Sequence, residues 1–141
     1  MIYVPENFNA KEKNTCLMAL IYVLNLSSPK QKAKKEYMAL QMKALNIPED
    51  KYDEKQQIYK KEEIINSLKK LNDIRVQRYI IREMIMLAVA DQDIGDNEIR
   101  DIYQIAEAVG VDGEKVGDFF IWAAKGIEWQ LEGIQLVEED L

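Results

Sequence analysis

Apolar residues recur three and four positions apart through six to seven stretches of the chain, and no stretch shows the sustained alternation of a half-buried strand. The pattern predicts an all-α fold. Helix 1 is expected to start at Asn9, whose side chain can cap while Glu12 returns the bond, and to bury Cys16, Leu17, Leu20, Ile21 and Leu24 before ending near Leu26. Ser28 and Pro29 form a cap and first-turn pair, so helix 2 is expected from about Pro29 to Leu45. It stops at Asn46-Ile47-Pro48, because asparagine tolerates the left-handed conformation and proline cannot continue the ladder.

After a polar turn at 48 to 53, a third helical region runs to about Leu71 and is thinly apolar until Ile64, Ile65, Leu68 and Leu71. Asn72-Asp73 stops it and caps helix 4, which is apolar around most of its circumference near its end and should therefore be central. The segment from Asp91 to Gly95 breaks the pattern. Helix 5 carries Ile99, Ile102, Tyr103, Ala106 and Val109 to a stop at Gly110, with Val111 placed for the apolar contact of a Schellman turn. Asp112 then caps a last segment that continues through Gly126 to about Glu138.

If that last helix is continuous, Phe120, Ala124, Ile127, Leu131 and Ile134 form one stripe able to cover the core. Trp122, Trp129 and Leu136 then repeat every seven residues on about the opposite side and are candidate interface residues for a protein partner or a twin subunit. The competing reading is that Gly126 bends the chain and turns both tryptophans inward as ordinary core.

An offset of 64 residues lays Leu45-Asn46-Ile47-Pro48-Glu49-Asp50-Lys51 onto Val109-Gly110-Val111-Asp112-Gly113-Glu114-Lys115, and helices 1 and 2 onto helices 4 and 5. The chain reads as one domain over 1–141 with repeat-like halves, about 9–72 and 73–138. Neither helix pair can cover its own apolar face, so the two pairs should pack together about an approximate twofold axis.

Composition narrows the chemistry. The 141 residues contain no histidine and one cysteine, which excludes Ser/His/Asp and Cys/His nucleophile systems, the usual nitrogen and sulfur zinc sites and an internal disulfide. Cys16 opens the apolar run to Leu24 and is read as core. Lys11 and Lys13 precede that run, but Glu6 and Glu12 lie among them and no small-x-small site follows, so it is not read as a secretory signal. It is also too short to span a membrane, for which roughly 20 apolar residues are needed. A cytoplasmic location is expected.

The net charge of -6 is unevenly spread: residues 1 to 82 hold 16 basic and 10 acidic side chains, and residues 83 to 141 hold 3 and 15, which together make the 19 and 25 of the chain. Nucleic acid is not an expected partner of so acidic a protein, although the lysines at 30, 32, 34 and 35 could touch a phosphate or an acidic partner; a solvated helix face is the competing reading.

The most chemical stretch runs from Ala90 to Glu98 and places Asp91, Asp93, Asp96 and Glu98 between two helices. A hard cation such as Ca2+ or Mg2+ takes oxygen ligands of this kind, so these four residues form the candidate metal site. The stretch is not an EF-hand loop, because Gly95 falls one position early and Ile102 stands where the closing glutamate belongs. Simple capping competes with metal binding, with Gly95 as the cap and Glu98 as the third-position acid favoured by the helix dipole.

Ala90, Asp91, Ile94, Gly95 and Glu98, in that order, resemble the TerB-like family's turn, in which alanine-aspartate-glycine is followed by an apolar residue, a capping residue and a helix-opening glutamate. The run Ile102-Tyr103-Gln104-Ile105-Ala106-Glu107-Ala108-Val109-Gly110-Val111 also resembles that family's second helix and its glycine stop, and the likeness covers residues 79 to 124. It implies an all-helical bundle with two pseudo-repeated helix pairs, found with tellurite-resistance and other stress systems and at the N-terminus of some membrane-anchored J-domain co-chaperones. Two departures stand out: Gln92 replaces the usual glycine, and Ser27-Ser28-Pro29-Lys30 occupies the place of a second acidic turn.

The expectation is a non-enzymatic module that works through a protein partner or self-association, with a cation at the acidic corner as a possible addition and no catalytic residue. A metal-dependent hydrolase using carboxylates and a purely structural helical subunit are the alternatives.

Overall fold

A computed structural model describes residues 7–26, 32–48, 58–91 and 94–140. Among the described residues there are six helices and no strand: α1 Ala10–Leu26, α2 Lys32–Ala44, α3 Lys61–Lys69, α4 Ile74–Ala88, α5 Asp96–Ala108 and α6 Gly113–Glu138. The fold is an all-α bundle.

The ends of these helices follow from their caps. Asn9 and Glu12 exchange bonds across the first turn of α1: Glu12 N–H donates to Asn9 Oδ1 at 2.8 Å, and Asn9 N–H to Glu12 Oε1 at 2.9 Å. Asp73 Oδ1 accepts from the Arg75 N–H at 2.9 Å, and Asp112 Oδ1 from the Lys115 N–H at 2.9 Å, each supplying an acceptor to a first turn that has none of its own. The Ser28-Pro29 start expected for helix 2 lies outside the described residues. Of the third helical region, expected from about Asp53 with a first half that is exposed or broken, residues 53 to 57 lie outside the described residues. Residues 58 to 60 are not helical, and α3 opens at Lys61, where the Glu63 carboxylate accepts the Lys60 N–H at 3.0 Å.

Two features recur at the 64-residue spacing. At the end of α2 the Asn46 and Ile47 N–H groups donate to Lys43 and Met42 carbonyls at 3.1 and 2.8 Å; at the end of α5 Gly110 and Val111 donate to Glu107 and Ala106 at 3.1 and 2.9 Å. Both are Schellman stops, with Asn46 at φ 57° and Gly110 at φ 88° supplying the left-handed residue. Packing repeats as well. Helix α1 touches α2, α3, α4 and α5, while α4 touches α5, α6, α1 and α2, so exchanging α1 with α4, α2 with α5 and α3 with α6 maps one set of neighbours onto the other.

The core lies between α1 and α4, where Leu20, Ile21, Ile80, Ile81, Met84 and Ile85 are fully buried. Both helices are packed on several sides, which explains why their apolar residues encircle much of the axis.

Helix α6 runs unbroken through Gly126 and reaches beyond the bundle. The stripe expected to cover the core does so only in part: Phe120 and Ile127 are half-buried, whereas Ala124, Leu131 and Ile134 are exposed. Every residue from Glu128 to Asp140 is exposed. The eleven residues from 128 to 138 thus form an arm about 16 Å long at 1.5 Å per residue.

Candidate functional site

The acidic corner is built by the N-terminal ends of α5 and α2. Gly95 is the N-cap of α5 in extended backbone at φ -82°, which places Asp96 and Glu98 in the first turn. Glu98 is buried, and both of its carboxylate oxygens accept from Lys34 Nζ at 3.1 Å; Asp91 Oδ1 lies 3.9 Å from the same ammonium. Lys34 itself is 1% exposed. Taking this charge out of water is costly, and the two-pronged contact with Glu98 plus the nearby Asp91 offsets the cost.

Of the four residues expected to hold a metal, Asp91 and Glu98 are therefore brought together, with a lysine between them. Asp96 points into solvent at the start of α5, and Asp93 lies outside the described residues. Among the described residues no group of three acids, cysteines or histidines converges to hold an ion.

Lys34 was missed by the motif reading, yet the sequence carried its signal. Lys34 and Glu98 are 64 residues apart, so they occupy equivalent positions in the two halves. The offset that aligns the helix ends thus also aligns two residues of opposite charge that meet at the N-terminal ends of α2 and α5.

Two further polar clusters tie the halves together. Tyr22 Oη of α1 donates to Asp101 Oδ2 of α5 at 2.8 Å, and Lys61 Nζ of α3 lies 3.1 Å from Asp101 Oδ1. Burial by itself raises a carboxyl pKa, but the Tyr22 hydrogen bond, with Lys61 and Arg100, outweighs it and holds Asp101 below the usual carboxylate range. Burial first, and then the bond to Asp101, pushes the Tyr22 hydroxyl above its ordinary value.

The second cluster centres on Glu83, which is fully buried in α4 and accepts from the Tyr37 hydroxyl and from Arg82 Nη2, the latter at 2.9 Å. The Arg82 guanidinium also lies over the Tyr79 and Trp122 rings, 5.0 and 5.5 Å from their centres. Burial and then the Glu83 charge push the Tyr37 and Tyr79 hydroxyls upward. The Cys16 thiol is fully buried and raised by burial too, so it is core rather than a nucleophile.

Trp122, Trp129 and Leu136 are 41%, 75% and 69% exposed, so neither tryptophan is turned fully into the monomer. The two tryptophans border a groove of about 610 Å³ between α2, α4 and α6, walled also by Tyr37, Leu40, Met86, Val89 and Ile127, whereas Leu136 lines a separate recess along the arm. A recess along α2 shares Glu36 and Leu40 with this groove, and the one along the arm shares Trp129 and Gln130. The three form one apolar track from Pro48 past Leu40 and Trp129 to Val137.

Among the described residues no helix is long and apolar enough to cross a membrane. No family model, no curated protein and no solved structure matches this chain.

Proposed function

We propose that this chain is a non-catalytic, TerB-like helical module that binds protein, taking an apolar helix on the track between α2, α4 and α6. The observation that carries the reading is that track: an open groove with aromatic walls, next to exposed Leu40, Trp129, Leu136 and Val137. Amphipathic helices dock in grooves of this kind through apolar anchors one turn apart, and aromatic side chains commonly supply the strongest contacts.

The polar interior supports binding rather than catalysis. Glu83, Glu98 and Asp101 each face a cation or a hydroxyl of their own chain, and that pairing holds the halves together. At the acidic corner, Lys34 occupies the position between Asp91 and Glu98 that a metal ion would need. Calcium and magnesium should accordingly leave the melting temperature where a chelator leaves it; a rise that disappears in Glu98→Ala would restore the cation reading. A cytoplasmic setting fits the single, unpaired Cys16.

Photo-crosslinking in cells tests the binding reading. A photoreactive amino acid at position 40 or 129 should give protein adducts, while the same group at exposed position 107 on α5 should give none. Equal labelling at all three positions, or none at 40 and 129, would remove the track as a binding surface. The stress association implied by the family resemblance has its own test: growth on tellurite of a sensitive host expressing the chain or its Trp129→Glu variant. Equal growth of both with the empty host would remove that association.

A further inference from the structure

The distal half of α6 poses a physical problem that the single chain does not solve. Successive helical residues are about 100° apart, so Trp129, Leu131, Gly133, Ile134, Leu136 and Val137 spread over more than half of the arm's circumference. All of them are exposed. Glu128, Glu132 and Gln135 share the remaining sector, and Gln130 and Glu138 are the polar residues within the broader one. A helix this broadly apolar calls for covering on more than one side.

We propose that the track is filled by the same arm from a second copy of the chain, exchanged reciprocally about a twofold axis; the proposal rests on reading the track as a protein-binding surface. The groove lies at the root of the arm that would fill it. When two arms run antiparallel and cross near Gln130, the tip of each reaches the groove of the other. The same contacts are then made twice, as a closed dimer requires. Each arm is covered by its twin on one side and by the partner's α2 and α4 on another.

Charge favours this occupant over an arbitrary apolar helix. The tip of the arm ends in Glu138, Glu139 and Asp140, while the groove is lined by Lys125 and Glu36 and its continuation along α2 by Lys43; Glu36 is already paired with Lys32. An acidic tip thus meets lysines at both ends of the groove. Size agrees as well. The exposed apolar side chains of the arm, with Trp122 and Leu40, present surface on the order of the 800 Å² that each partner gives to a standard dimer.

The glycines add an independent argument. A Cβ placed on Gly126 or Gly133 meets nothing within 4 Å, although each glycine weakens a helix interior by about 1 kcal/mol relative to alanine. Nothing in one copy requires them. Gly126 lines the groove, where the missing side chain lets a second helix approach closely.

Sedimentation of the purified full chain at rising concentration tests the proposal. The mass should move from 16.4 kDa toward twice that value. Trp129→Glu and Gly126→Leu should each raise the dimer Kd at least tenfold. Gly126→Leu guards against a trivial loss of fold, since its Cβ enters open space and leucine is the better helix former. Its melting temperature, measured where the chain is monomeric, should be no lower than that of the parent. A chain that stays monomeric at all concentrations overturns the proposal, as does a dimer that both variants leave intact. If the pure chain is monomeric while position 129 crosslinks to another protein in cells, the self-association idea fails and the binding reading stands. With no adduct at all, both fail.

Discussion

The paired N-terminal ends of α2 and α5 and the distal half of α6 invert the usual placing of charged and apolar side chains in a folded chain. At the first, a lysine and a glutamate lie inside the molecule; at the second, tryptophan, leucine, isoleucine and valine lie outside it. Each inversion has its own compensation. Lys34 and Glu98 tolerate burial because each satisfies the other at 3.1 Å, an internal solution complete within one chain. The arm has no such internal partner. The comparison separates a buried charge answered by another helix of the same molecule from apolar area that the molecule leaves in water.

The largest expected effect comes from breaking the internal pair. Lys34→Met should destabilise the fold by about 3 to 5 kcal/mol, because Glu98 would remain buried without its cation. Denaturant unfolding measures this directly. Adding Glu98→Met to Lys34→Met should recover much of the loss, since the buried carboxylate is removed along with the buried ammonium and only the partly exposed Asp91 remains. A neutral Lys34→Met would mean that the pair behaves like exposed charge, and the contrast with the arm would collapse.

The next effect is pH dependence, most of it from the polar clusters with a further alkaline contribution from the buried Cys16 thiol. The Asp101 carboxyl is lower in the folded chain than in the unfolded one, so its contribution is fully present above the unfolded pKa of about 3.9 and is lost as pH falls through the folded value. Stability should decline below about pH 5, and Asp101→Asn should flatten that acid limb. The alkaline limb has the opposite origin. Tyr22, Tyr37 and Tyr79 are raised above their ordinary value of 10.0, so above it the unfolded chain releases protons that the folded chain retains. Stability should then fall by about 1.4 kcal/mol per pH unit for each such tyrosine, and Tyr37→Phe should make the fall shallower. Chemical denaturation across pH gives both limbs; an Asp101→Asn variant with an unchanged acid limb would locate the acid sensitivity elsewhere.

A third effect, of about 1 kcal/mol, should separate carboxylates that cap helices from those that only stand near them. Asp73→Ala and Asp112→Ala each remove the acceptor of a first-turn N–H and should cost about that amount. Asp96→Ala removes an exposed acid from α5, whose cap is Gly95, and should cost only a few tenths of a kcal/mol from the dipole. Similar losses in all three would make Asp96 a structural acid after all.

Much of the fold was legible in residue order because caps and stops are local. Asn9 with Glu12, Asp73, Asp112, Asn46 and Gly110 all act within a few residues of themselves, and each stands where the pattern put it. The candidate site was less legible because it is tertiary. Asp91 and Glu98 were visible as neighbours in sequence, but the group that joins them, Lys34, comes from another helix and was read only as one lysine among several. Tyr37 and Glu83 were missed for the same reason: a tyrosine and a glutamate 46 residues apart carry no motif. The arm was legible as a repeat of Trp122, Trp129 and Leu136. That its other stripe would also be uncovered beyond Ile127 depends on where the bundle ends, which periodicity does not encode.

The smallest expected effect lies on the arm, and its smallness is informative. Trp129→Glu and Leu136→Glu, measured by denaturant unfolding where the chain is monomeric, should change stability by no more than about 0.5 kcal/mol. Both side chains are mostly in water already, so folding of one copy gains little from them. A core tryptophan truncated in the same way typically costs about 3 to 5 kcal/mol, which makes the difference easy to resolve. Gly133→Ala, by contrast, should raise stability by up to about 1 kcal/mol, since the added methyl meets nothing in the chain and favours the helix. A large loss from Trp129→Glu would show that the arm folds back on its own bundle. The two inverted regions would then both be answered from within, and the outward-facing half of the comparison would be gone.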